Sequence, residues 1–219
     1  MDVIEAISKR KSIRGYKPEP VPMEILKKVL ETAAHSPSAM NTQPWEVTVV
    51  SGETLDKVRS ANIEMLKSGA EIWRSFSFQG AYRQRQVDLA VQIFKLMGIA
   101  REDREKRTQW LERGFRFFDA PAAIILSVDS SAPESLALLD IGAFCQSICL
   151  AAPEYGLGTC IEDQGTAFPE VLRRFMGIPE SKQIVISIAI GYPDWDFPAN
   201  KLETDREHID SFTTWCGFD

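Results

Sequence analysis

A basic surplus is missing: lysine plus arginine number 25 against 31 aspartate plus glutamate, a formal charge of −6. That balance argues against a nucleic-acid binder, which carries a positive excess. It leaves room for a local basic pocket that takes a small anion. Long apolar runs are missing too: the longest, around 120–128 and 184–190, are strand-length and far short of a membrane span. The start, Met1-Asp2-Val3-Ile4-Glu5, is acidic and amphipathic, so no secretory signal is expected. Cys145, Cys149, Cys160 and Cys216 form no CxxC pair. Cys145 and Cys149, four apart in an apolar helical stretch, read as small buried hydrophobes. With His35 and His208 the only histidines, a zinc site is not expected. These absences predict a reduced, cytoplasmic protein with neither nucleic-acid nor membrane partners.

Catalytic signatures are also absent. There is no GxxxxGK[ST], GxSxG or HExxH, and Gly156-Leu157-Gly158 lacks the third glycine of a dinucleotide fingerprint. What is present is a chain of 219 residues, 44% apolar, without repeats or flexible linkers. It reads as one domain over 1–219, with an extended tail over 192–219. Apolar spacing predicts helices ending near Lys11 and over 22–35, 53–67, 80–96, 134–152 and 168–176. The charged stretch 101–116 reads as a solvated helix face. Strands are expected at 45–50, 120–128, just after Gly158, and at 183–190. Their uneven spacing favours an α+β fold, a sheet covered by helices on both faces, over parallel crossover units. The nearly all-round apolar 134–152 helix implies burial in the core or at a subunit contact. The tail, with Trp195, Phe197, Phe212, Trp215 and Phe218, is too aromatic to stay unpacked.

Three clusters make little sense as ordinary fold-building. The first is Arg10-Lys11-Ser12-Ile13-Arg14, with Tyr16 and Lys17 after it: guanidinium forks and a hydroxyl are the groups a phosphate monoester requires. Taken alone, the run fits a solvated basic face better than an anion site. The second is Ser36–Trp45, whose two prolines fix the backbone around Ser38, Asn41 and Gln43. It fits either a ligand loop or a well-capped connection anchored by Trp45. The third is Gly158-Thr159-Cys160-Ile161-Glu162-Asp163, a short strand with backbone amides free at a loop.

Together with Gly191-Tyr192-Pro193 and an arginine in the tail, these motifs resemble the nitroreductase-like FMN flavoproteins, in order and over most of the chain. The stretch 62–118 carries the least resemblance. The resemblance implies a mainly antiparallel α+β fold in an intertwined homodimer, the C-terminal tail reaching the partner subunit. It implies that Arg10, Lys11, Ser12 and Arg14 hold the FMN phosphate and ribityl chain, Lys11 least of them, and that Arg206 closes on the phosphate, with Lys201 nearby. Pro37, Ser38, Ala39 and Asn41 are implied to contact the flavin across the dimer interface. Ile161, Glu162 and Asp163 are implied to present backbone amide to flavin N5, Asp163 standing where family members often carry glycine. The implied activity is FMN-dependent, ping-pong reduction of nitroaromatic or quinone-like molecules with NADH or NADPH, no side chain being a catalytic acid or base. A rival reading is a non-catalytic flavin-binding protein for storage or sensing, its ring face plugged by Asp163 and the aromatics Trp73, Phe76, Phe78 and Tyr82. A ligand-free helical interaction module would leave the Ser36–Trp45 loop unexplained.

Overall fold

Four strands form one antiparallel sheet in the order β1-β2-β4-β3: β1 (Trp45–Ser51), β2 (Ala122–Asp129), β3 (Gly158–Glu162) and β4 (Lys182–Gly191). The computed structural model describes residues 2–73 and 77–218. Strand β2 is the centre. Its run Ala122–Val128 is buried throughout, as expected of a strand covered on both faces. Full burial of each of Ile124, Ile125 and Leu126 contributes about 1.5–3 kcal/mol.

Helices α1 (Val3–Lys9), α2 (Met23–Ala33), α3 (Gly52–Ser68), α4 (Gly80–Leu96), α5 (Arg104–Phe115), α6 (Glu134–Ala151) and α7 (Pro169–Met176) surround the sheet. Alternation along β2 divides the core. Ala123 and Ile125 face α3, α5 and α7 through Leu55, Val58, Phe115 and Leu172. Ile124 and Leu126 face α2 and α6 through Val29, Ile141, Phe144 and Ile148. The α+β expectation, with helices on both faces, therefore holds.

One expectation is corrected and two are refined. Helix α1 ends at Lys9 rather than near Lys11, because Arg10 takes φ −55° and ψ 127° and turns the chain extended. The charged stretch 101–116 is solvated only over its first turns, since Gly114 and Phe115 are buried. Helix α6 is half core and half surface: Ile141, Phe144 and Ile148 are buried, while Leu139 is 70% exposed. By length and composition, 134–155 also passes as a membrane-crossing helix, which counting uninterrupted apolar runs overlooks. Half of that window is buried inside the protein.

Cys145 and Cys149 are buried as expected, and burial pushes the Cys145 thiol up to about 12. The aromatic tail stays largely outside this core, with Phe212 71% and Phe218 78% exposed. Trp215 and Phe218 meet edge to face at 5.6 Å.

Candidate cofactor site

The extended chain after α1 covers the free edge of β3. Ser12 forms a parallel bridge with Thr159, and Ile13 N donates to Thr159 O at 2.9 Å. Ile13 drops into the core, and a Cβ on Gly158 would lie 2.5 Å from its Cγ1 and 2.8 Å from Pro193 Cγ. Glycine is what lets the basic segment approach the strand. Further on, Tyr16 bridges to Pro193, and Lys17 N donates to Tyr192 O at 2.9 Å.

Asn200 fastens this segment from the far end of the chain. Its Oδ1 accepts from Arg14 N at 2.7 Å and Gly15 N at 3.2 Å; its Nδ2 donates to Gly15 O and Asp194 O. It is buried and fully partnered, so it sets the path of the motif. Arg113 of α5 adds a second fastening, donating to Arg14 O at 3.0 Å and Phe118 O at 3.2 Å. Its guanidinium also pairs with Asp119 at 2.9 Å and lies over the Phe197 ring at 4.8 Å. Sequence reading missed Asn200 and Arg113, whose partners on the basic segment are distant in sequence.

Two cavities flank the segment. A groove of about 370 Å³ is lined by Arg10 and Lys11 together with Cys149, Gly158, Thr159 and Trp195. A pocket of about 250 Å³ is lined by Arg14, Trp110, Phe118, Ile161, Glu162 and Asp163. Arg14 lies over the Phe118 ring at 5.9 Å. Phe118 belongs to a turn, Phe117–Asp119, whose three residues all have positive φ (55°, 52°, 59°). Such a turn is unfavourable for L residues with side chains. It is held by Arg59, which donates to Arg116 O and Ala120 O, and by Arg116, which pairs with Asp119 at 2.7 Å.

At the end of β3, Ile161 is 40% exposed while the Glu162 side chain is buried. Its carboxyl group accepts from Ser187 Oγ at 2.6 Å and Gly165 N at 2.8 Å. Burial outweighs these bonds and raises its pKa to about 7. Asp163 has φ −98°, open to any residue, so aspartate in place of glycine introduces no backbone strain there.

The Ser36–Trp45 loop lies elsewhere in the chain. Met40, Asn41 and Gln43 have φ of 49°, 59° and 47°, and Met40 is 91% exposed. Ser38 Oγ accepts from Gln43 N at 3.0 Å, and Ala39 N donates to Asp140 of α6 at 3.2 Å. Trp45 stacks on Phe144 at 4.8 Å, so it is indeed an anchor. Arg10, by contrast, lines a groove with Cys149, nine residues further along α6 than Asp140. That is about 14 Å of helix rise. Neither cavity beside the basic segment includes a loop residue. Within one chain the basic segment and this loop thus form two separated clusters.

Arg206 joins neither cluster: its guanidinium bonds Thr204 O, Thr204 Oγ1 and Asp205 O of its own turn. Trp73 lines a different cavity with Glu71, Glu170 and Arg173. Phe78 and Tyr82 are absent from the pocket beside β3, and Phe76 lies outside the described residues. The pocket is walled instead by Ile93, Trp110 and Leu111 of α4 and α5.

An α+β sheet with a cationic segment laid along its edge, beside an aromatic-walled pocket, offers the groups that an anionic, partly planar ligand requires. The Nitroreductase family model matches residues 7–192, and the chain belongs to the nitroreductase family. It is 31% identical to the chloronitrobenzene nitroreductase of Comamonas testosteroni, over 96% of this chain and 95% of that protein. The nitrobenzene nitroreductase of Ectopseudomonas oleovorans matches with the same identity and coverage. Among solved structures, the FMN and NADPH-dependent nitroreductase NfnB from Sphigopyxis sp. strain HMH superposes with a TM-score of 0.94 at 26% identity, covering 100% of both chains.

Proposed function

We propose that this protein is an FMN-dependent oxidoreductase that uses NAD(P)H to reduce nitroaromatic or related quinone-like small molecules in a ping-pong cycle. The observation that carries this reading is the Arg10–Arg14 segment hydrogen-bonded to the edge of β3 beside an aromatic-walled pocket. Family membership and nitroreductase relatives over nearly the whole chain support it.

The donor set suits FMN. Arg10 and Lys11 on one groove offer a guanidinium and an ammonium to a phosphate monoester, Arg14 lines the adjoining pocket, and no third glycine provides a pyrophosphate turn. When bound, FMN supplies the hydride-accepting centre from which electrons pass to the substrate. In this reading Arg10, Lys11, Ser12 and Arg14 hold the phosphate and ribityl chain, and Arg206 closes over the phosphate. Ile161, Glu162 and Asp163 offer backbone amide to the ring edge. Pro37, Ser38, Ala39 and Asn41 of a second copy complete the site, so the working unit is a homodimer of single-domain chains (1–219). Residues 192–219 form its reaching tail, and the setting is the reduced cytoplasm.

Stopped-flow mixing of the flavin-loaded protein with NADH and with NADPH tests this. The expected result is bleaching of the oxidised flavin, then reoxidation by nitroarenes or quinones. Bound flavin that neither nucleotide bleaches would instead favour the storage or sensing reading.

A further inference from the structure

Helix α6 carries a side chain whose only hydrogen bonds among the described residues reach into the Ser36–Trp45 loop. Asp140 is buried, 6% exposed, and both its carboxyl oxygens lie 3.2 Å from Ala39 N. That amide opens the short turn Ala39–Asn41, and Ser38, which precedes it, makes no side-chain cap. The first N–H groups of a helical turn have no partner within it. Here the missing acceptor comes from another element, 101 residues away in sequence.

The turn needs such a tie, because Met40 and Asn41 both sit in the left-handed region. Residues held there persist only when their surroundings over-determine them. Seven residues further along α6, on the same face, Ser147 Oγ lies 2.7 Å from Ser36 Oγ and steadies the start of the loop. Asp140 instead holds its centre, between Ser38 and Asn41.

We propose that Asp140 is a positioning residue for the flavin-binding loop, fixing Ser38, Ala39 and Asn41 by accepting the Ala39 amide. This rests on the reading of that loop as part of the FMN site. Asp140 itself acts through the backbone it holds. Its contribution is the acceptor oxygen rather than the charge, so asparagine at this position keeps the bond through its amide oxygen.

The test is FMN titration of cofactor-stripped wild type, Asp140→Ala, Asp140→Asn and Asn41→Ala, with hydrogen exchange of the peptide spanning 36–43. Asp140→Ala leaves the half-buried Ala39 amide without its charged acceptor, so FMN affinity should fall about ten- to a hundredfold. Exchange in that peptide should speed up. Asp140→Asn should restore both to near wild type, a rescue that general damage to α6 would not give. If Asp140→Ala keeps wild-type affinity while Asn41→Ala loses it, the role of Asp140 is overturned and the loop reading stands. If Asn41→Ala also binds as wild type does, the loop reading fails and this inference with it. If Asp140→Asn is as impaired as Asp140→Ala, the acceptor role is wrong. Should Asp140→Ala prove insoluble, Asp140→Leu, of similar volume but without an acceptor, takes its place: a loss of affinity that Asp140→Asn does not share supports the proposal, and wild-type affinity overturns it.

Discussion

Glu162 is an acid enclosed beside Ser187 and Gly165, and burial raises its pKa from 4.5 to about 7. A folded-state value above the unfolded one means that the folded protein holds this proton more tightly. The associated stability is fully present below about pH 4.5 and is lost as pH rises through 7. Glu162→Gln keeps a neutral group that can accept from Gly165 N and donate to Ser187 Oγ. Its melting temperature should therefore gain on wild type between pH 5 and pH 8. Parallel melts at both values check this, and an unchanged difference would place the transition elsewhere. Arg10 is the residue on which cofactor retention should depend most. Truncating one partner of a buried charged pair costs about 2–5 kcal/mol. Arg10→Ala should therefore purify largely colourless, yet fold and regain activity with excess FMN. Lys11→Ala, the comparison, should lose much less affinity in FMN titrations. It is a demanding comparison, because both side chains line the same groove.

The element with most leverage over the pocket is the left-handed turn Phe117–Asp119, joined to the basic segment by Arg113. Replacing Arg113 with alanine removes its bonds to Arg14 O and Phe118 O and its pairing with Asp119. Hydrogen bonds to charged groups contribute about 1.5–3 kcal/mol each, and the exposed share of this residue discounts the sum. Urea unfolding should show a loss of about 2–3 kcal/mol, with weaker FMN binding in the same variant. Nothing in the sequence announces this turn. It contains neither glycine nor asparagine, the residues that mark positive φ, and long-range partners impose its conformation. Helix α4, by contrast, is legible because local propensity decides it: Gly80–Leu96 is both expected and observed. The basic segment and the loop are legible as chemistry, since their composition differs from that of neighbouring stretches. Asn200 and Asp140 are not: one polar residue in a tail and one in an apolar helix acquire meaning only when the chain brings their acceptors and donors to them.

For the whole molecule, Met40, Leu139, Phe212 and Trp215 are exposed apolar side chains, which the second copy of the proposed homodimer would cover. Light scattering should give about twice the chain mass of 24.6 kDa. Deleting residues after Tyr192 should weaken dimer and cofactor together, because it removes Asn200 and Arg206 as well as the aromatic tail. A flavin-loaded monomer at micromolar concentration would contradict this arrangement.

The basic segment and the Ser36–Trp45 loop meet different stretches of α6, and in the proposed homodimer that separation also bears on inheritance. If each catalytic centre takes its arginines from one polypeptide and its loop from the other, lesions in the two halves fail differently alone and in company. Homodimers of Arg10→Ala or of Asn41→Ala carry two impaired centres each. A mixed dimer concentrates both lesions in one centre and leaves the other with native Arg10 and native Asn41. Random reassortment of equal amounts should therefore restore about a quarter of the native centres. Two defective alleles expressed in one cell would then complement each other, whereas two lesions within the same half would not.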